Sequence, residues 1–257
     1  MRVAALTLVL AAIACGGGSD AGSAGEQQAA PSGGAAGGGA GGPTGSGTIG
    51  GTVNFTGTAP ANPTINMAAE AKCAAKHPGG VRDPQYVVNN GKLGNVFVYV
   101  KSGLPAGATY TAPTTAVVLD QDGCLYHPRV FGVMARQPVE IRNSDSLLHN
   151  IKAVPKAQPG FNIGQNRAGA TTTRTFNTPE IMVPFECNVH SWMNAWVGVT
   201  SHPFYAVSGE DGTFEIRNLP AGTYEVEAWH EKLGTKTMSV TVPDGGRGAA
   251  DFSFAAP

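Results

Sequence analysis

From residue 48 onward the chain is a succession of short segments rich in β-branched and aromatic residues, each soon closed by Gly, Pro, Asn or Asp. Residues 48–56 (TIGGTVNFT) and 95–101 (NVFVYVK) open the series. Segments 116–120, 130–135, 139–143, 149–154, 171–176, 181–187 and 196–200 continue it, and 204–208, 212–216, 223–229, 236–242 and 249–254 complete it. Asp122-Gly123, Gln137-Pro138, Glu210-Asp211-Gly212 and Leu219-Pro220-Ala221-Gly222 supply turn chemistry between them. Such spacing predicts antiparallel sandwiches. Only 67–76 has a helix-favouring composition, and no helices alternate with the strands, which disfavours a doubly wound parallel sheet. The expected class is all-β.

The amino terminus reads differently. Met1-Arg2 precedes an apolar run over 3–14, which has the form of a short signal peptide and is too short to span a bilayer. The run ends Ala12-Ile13-Ala14-Cys15, which resembles a bacterial lipobox; the resemblance implies cleavage after residue 14 and a lipid on Cys15. Ala at the first lipobox position departs mildly from that pattern, and an ordinary cleaved signal peptide with an incidental Cys is the alternative. Residues 16–47 hold 14 of the chain's 36 glycines. This run cannot bury enough apolar surface to fold and predicts a disordered tether over 15–47, spanning about 30 Å. Beyond it, 16 Lys and Arg balance 16 Asp and Glu. Without a basic cluster, nucleic acid is excluded as a partner.

With Cys15 assigned to lipid, Cys73, Cys124 and Cys187 remain, an odd number for an oxidising compartment. The simplest solution is a Cys73–Cys124 disulfide with Cys187 left as a special thiol. A Cys2His2 zinc site from Cys73-x3-His77 and Cys124-x2-His127 is the alternative. No C-x-x-C-H occurs, which excludes covalent haem attachment.

Residues 185–193 read FECNVHSWM and place Cys187, His190 and Met193 within seven positions at a strand end. His149 closes another segment far upstream. One thiolate, two imidazoles and one thioether are the donors of a blue-copper electron-transfer site. Soft sulfur favours the cuprous state, while imidazole suits both oxidation states. A Met ligand leaves little room for the open position that a catalytic metal needs.

Over about 113–203 the chain resembles the cupredoxins (plastocyanin, amicyanin and azurin): Tyr126-His127-Pro128 enters a strand, followed by 139–143, an N-x-D loop, His149-Asn150 and C-x2-H-x2-M. The short ligand loop is the amicyanin form. The resemblance implies a Greek-key β-sandwich holding one type 1 copper, with His149, Cys187 and His190 equatorial and Met193 weakly axial. It implies that Asn150 stiffens the site by hydrogen bonding near the thiolate. The ligand loop has no second Cys for a dinuclear centre.

Residues 204–254 carry FYAVSGEDGTFEIRNLPAGTYEVEAWHEKLG, which resembles the carboxypeptidase regulatory-like (transthyretin-like) sandwich, and GTIGGTV at 47–53 resembles that module's first strand. The expected organisation is therefore discontinuous, a second small antiparallel sandwich from 48–112 and 204–257 with the cupredoxin inserted at 113–203. Extra cupredoxin strands at 48–112 are the alternative. Trp229-His230-Glu231 reads as a strand with a half-buried Trp, and Asp120-x-Asp122-Gly123 as a turn lacking the other ligands of a calcium loop.

Together these features predict a lipid-anchored, extracytoplasmic one-electron carrier and no enzyme, since a copper oxidase or nitrite reductase needs further His ligands. The His190 edge is expected at the surface, with Trp192 and Trp196 in an apolar docking patch for a c-type cytochrome or a terminal reductase or oxidase. A copper-delivery lipoprotein, or a structural surface lipoprotein with a vestigial site, is the alternative. The delivery reading is disfavoured because the six His and six Met are scattered.

Overall fold

The computed structural model describes residues 41–257, so Cys15, its expected lipid and the expected signal peptide lie outside the described residues. The chain begins with β1 (Gly47–Thr56), passes through helix α1 (Ala71–Lys76) and continues with β2 (Val88–Asn89), β3 (Lys92–Leu93) and β4 (Phe97–Ser102). A middle group follows: β5 (Val117–Asp122), β6 (Leu125–His127), β7 (Val130–Met134), β8 (Pro138–Asn143) and β9 (His149–Ala153). It ends with β10 (Phe161–Gln165), β11 (Ala170–Thr175), β12 (Glu180–Glu186) and β13 (Asn194–Thr200). The last group is β14 (Tyr205–Val207), β15 (Thr213–Leu219), β16 (Gly222–His230), β17 (Gly234–Val242), β18 (Arg247–Ala249) and β19 (Phe252–Ala255).

The sheets sort these strands into two sandwiches. In the middle group, one sheet runs β10-β9-β12-β13-β7 and the other β11-β8-β5-β6. The first and last groups interleave: β15-β1-β3-β2, with β18 and β19 also on β1, faces β14-β4-β16-β17. We call the interleaved sandwich the frame and the middle one the insert. Their cores follow the same division. Ile49, Val53, Val98, Val100, Phe204, Tyr224, Val226 and Phe254 share one buried cluster, although they come from opposite ends of the chain. Leu119, Val133, Ile141, Phe176, Phe185 and Val197 form the other.

Alternation produces these faces. Along β16, Tyr224, Val226 and Ala228 are buried while Thr223 and Glu225 are not, as period-2 geometry requires of a sheet packed on one side. β1 has a more demanding role. Its first half pairs antiparallel with β15 and parallel with β18, and its second half pairs parallel with β19. The Gly-rich run therefore ends earlier than expected: the Gly45 amide already donates to the Asn218 carbonyl (3.0 Å), and Gly47 is in the sheet.

Two glycines set the junction between the sandwiches. Gly132 on β7 lies opposite Gly198 on β13 in parallel register. A Cβ on Gly132 would lie 2.3 Å from the Tyr205 ring, and one on Gly198 would lie 2.3 Å from the Phe97 ring. Their bareness lets the frame's aromatic side chains lie directly on the insert's sheet. Beside them, Arg129 of the insert pairs with Glu231 and with Asp83 (2.7 Å) and stacks 5.0 Å over Trp196.

A third region crosses from frame to insert. Residues 57–87, between β1 and β2, form a strap that carries α1 and is bonded through Cys73 to Cys124 in the β5–β6 turn. Ile65 and Met67 pack with the disulfide in a small cluster of their own, against Leu147 and Trp192. The expected disulfide is thus present, and the zinc alternative falls because both sulfurs are already bonded. His77 Nε2 instead meets the Gly123 carbonyl (2.7 Å) and His127 is exposed. Asp122-Gly123 is a turn, with Gly123 and Cys124 both at positive φ. No helix among the described residues is long and apolar enough to cross a membrane.

Candidate metal centre

The insert brings the predicted ligands to one end of its core. His149 begins β9, Cys187 directly follows β12, and His190 and Met193 lie in the turn that leads into β13. β12 pairs with both β9 and β13, so the strands that carry these residues are adjacent in one sheet. All four are buried: His149 and Met193 are fully enclosed, Cys187 is 4% exposed and His190 is 3% exposed.

Donor atoms of His149, Cys187 and His190 lie within 4.8 Å of one another. The two imidazoles point their Nδ1 atoms at each other across 2.9 Å. Met193 belongs to the same buried cluster as Cys187. The His190 backbone amide donates to Cys187 Sγ (3.3 Å), which supports negative charge on sulfur. Burial raises the Cys187 pKa, but bonding to His149 and to nearby backbone amides outweighs it and the net shift is downward. These are soft and borderline donors on four buried residues, a set that fits copper.

Asn150 ties the two ligand-bearing segments together. Its Oδ1 accepts from the Asn188 amide (2.7 Å), the Val189 amide (3.3 Å) and the Cys187 thiol (3.3 Å), while its Nδ2 donates to Asn162 (2.7 Å). These bonds join the Cys187 loop to β9 and β10.

Two further residues, Asp145 of the N-x-D loop and Lys76 of α1, complete the surroundings. Asp145 is wholly buried and its Oδ2 lies 2.8 Å from His149 Nε2. It also accepts from the amides of Gly123 (3.1 Å) and Cys124 (2.7 Å), and Lys76 Nζ lies 2.7 Å from its other oxygen. Burial opposes ionisation of Asp145, but hydrogen bonds from His149, Lys76 and the Cys124 amide outweigh it and hold the carboxyl far below the usual range. The four-residue spacing of Asp145 and His149 was a usable sequence signal. Nothing in the sequence points to Lys76, which the strap brings to the site beside the Cys73–Cys124 bond.

The expected docking edge is not open. Cys73 Sγ lies 3.7 Å from His190 Nε2, so the disulfide covers the imidazole edge that was expected at the surface. Trp192 is half-buried, 5.1 Å from the His190 ring, and donates from Nε1 to the Cys124 carbonyl (2.9 Å). Trp196 is half-buried at the junction, under Arg129 and 6.1 Å from Trp229. Both tryptophans are therefore packing residues, because the strap and the frame occupy the surfaces they would otherwise present. Among the described residues, the exposed large apolar side chains are instead Leu148 (50%), Val189 (48%) and Val154 (37%).

No protein-family model and no curated protein matches the chain. Among solved structures, a Cu-containing nitrite reductase from Thermus scotoductus aligns at 19% identity over 39% of this chain and 26% of its own, with a TM-score of 0.33. The chain thus spans about a quarter of that enzyme's length. A purple cupredoxin from Nitrosopumilus maritimus aligns at 19% identity over 33% of this chain and 99% of its own, with a TM-score of 0.29. An oxidized amicyanin variant aligns at 18% identity over 40% and 97%, with a TM-score of 0.30. Scores this low carry no functional argument, so the reading of the site rests on its residues.

Proposed function

We propose that this protein is a type 1 copper protein that carries single electrons outside the cytoplasmic membrane, held there by a lipid on Cys15. The supporting observation is the convergence of His149 Nδ1, His190 Nδ1 and Cys187 Sγ in one enclosed pocket. His149, His190 and Cys187 would hold the metal, with Met193 completing the set, and bound copper would supply a one-electron couple. The chain's own contribution is rigidity. Asn150 locks the Cys187 loop to β9, and Asp145 fixes the ring of His149, so the donors stay in place whichever charge the metal carries.

With His190 Nε2 covered, the docking edge proposed here moves to Leu148 and Val189, the half-exposed chain neighbours of two ligands. The partner would be a c-type cytochrome or a terminal reductase or oxidase, engaged briefly as weak redox encounters are. The frame, which resembles a carboxypeptidase regulatory-like module, serves as scaffold. A delivery role is disfavoured, because a site that hands over copper needs ligands a receiver can reach, and these four are buried.

Copper(II) added to the purified protein tests the proposal. An intense thiolate-to-copper band with a narrow EPR hyperfine pattern is expected, and Cys187→Ser removes it. A colourless protein overturns the electron-carrier reading, and a weak d–d band alone redirects it to delivery.

A further inference from the structure

The strap has no place in the copper reading beyond covering His190, yet it contributes one charged group to the site. Lys76 is the last residue of α1 and its ammonium lies 2.7 Å from Asp145 Oδ1. Asp145 in turn contacts His149 Nε2 at 2.8 Å, on the far side of the ring from the Nδ1 that faces the pocket. The Cys73–Cys124 bond holds both ends of this relay: Cys73 lies three residues before Lys76 on α1, and the Cys124 amide donates to Asp145 (2.7 Å). A buried carboxylate left without a counter-charge would be costly. Lys76 is its nearest cation, and Lys76 also lies 3.9 Å from the exposed Asp122, a much looser contact.

We propose that Lys76 is a positioning residue of the metal centre: through Asp145 it fixes His149 with its Nε2 proton on the carboxylate and its Nδ1 free for the metal, and its charge raises the reduction potential of the bound copper. The effect on the potential rests on the copper reading above; the hydrogen-bond relay does not. Its physical basis is Coulombic. A positive charge held near the metal disfavours the divalent state relative to the monovalent state; the Lys76 side chain is 38% exposed and so partly screened, while Asp145, through which it acts, is wholly buried. Removing Lys76 leaves the Asp145 charge uncompensated, which favours the divalent state. Removing the Asp145 charge acts in the opposite direction.

The test measures the reduction potential of the copper-loaded protein beside its visible spectrum. Lys76→Met is expected to keep the blue band and shift the Cu(II)/Cu(I) equilibrium about tenfold toward Cu(II), a fall of about 59 mV for a one-electron couple. Lys76→Arg restores the potential, and Asp145→Asn raises it. Lys72→Met removes the same charge from another exposed residue of α1, one not paired with Asp145, and should change the equilibrium less than twofold. Equal shifts in the Lys72 and Lys76 variants, or no shift in Lys76→Met with the band intact, overturn the proposal while leaving the copper reading standing.

A second arm needs no metal. In the metal-free protein the imidazole N–H proton of His149 should exchange slowly with water, and Lys76→Met should speed that exchange at least tenfold. If wild-type protein takes up no copper, the copper reading fails, and this arm alone decides the relay. An exchange rate unchanged in Lys76→Met overturns it.

Discussion

The frame and the insert are both β-sandwiches of similar strand length, yet they bury different chemistry. Among the described residues, buried polar side chains in the frame and the segment leading into it are few: His202, Ser208, His230 and, at the junction, Glu231. The insert encloses Gln121, Gln137, Asn143, Asp145, His149, Asn150, Gln165, His190 and Thr200, and several of them bond to one another at the metal end. One core is an apolar filling, while the other trades some of that filling for a polar network around His149, Cys187 and His190. Stability should therefore respond mainly to the frame and spectroscopy mainly to the insert.

The sharpest way to break this division is a paired substitution. Cys187→Ser should abolish the blue band with little change in melting temperature. Phe204→Ala, a fully buried ring in the frame core, should cost about 3–5 kcal/mol in chemical denaturation and leave the band of the folded fraction intact. If Phe204→Ala erased the colour of protein that is still folded, the two cores would not be separable.

Next in size comes the strap, which belongs to the frame in sequence and to the insert by covalent bond. The disulfide spans 51 residues, for which loop-closure entropy predicts a loss of about 4 kcal/mol in the double variant Cys73→Ala/Cys124→Ala, measured by urea denaturation. A loss below about 1 kcal/mol would mean that the strap stays docked without its bond.

Acid should strike the frame side too. His202 donates from Nε2 to the Val100 carbonyl (2.9 Å) and accepts the Phe204 amide at Nδ1 (3.2 Å), so both ring nitrogens are satisfied in the neutral form. Burial lowers its pKa to about 4, and burial assisted by Arg129 and Lys232 does the same for His230. Depressed histidines favour the folded state fully above their unfolded pKa. The contribution, about 3 kcal/mol for each, disappears as pH falls from about 6.5 to about 4. Denaturation midpoints at pH 7 and pH 4 measure it; half the expected loss would show that one ring is protonated in the fold, and a flat profile that both are.

The smallest effect concerns the junction. Gly198→Ala forces a methyl into the Phe97 ring and should cost about 1–3 kcal/mol, with the band position unchanged. A shifted band would show that the frame strains the ligand sheet.

Strands with many β-branched residues were legible in the sequence, and so was the ligand loop, because three of its four donors fall within seven residues. Elements fixed by partners were not. β10 follows Gln158-Pro159-Gly160, which reads as loop, and is a strand because it pairs residue by residue with β9. β2 and β3 are two residues each and owe their form to each other and to β1. The segment expected at 249–254 divides into β18 and β19, since β1 binds both and Ala250-Asp251 lie between them. The cover over His190 was illegible for the same reason: the pairing of Cys73 with Cys124 could be anticipated, but not the path that lays the bond on the imidazole.

The β4–β14 pairing has one more consequence. The Val100 amide donates to the Phe204 carbonyl (3.0 Å), so the chain leaves the frame beside the point at which it returns. To the frame, the entire insert is topologically one long hairpin loop, and each doubling of such a loop costs only about 0.6 kcal/mol in closure entropy. The frame is thus a socket into which different cargo domains could be grafted at a single hairpin. Cys73 is the keyed pin of that socket, because only a cargo that presents a cysteine where Cys124 stands can be locked in.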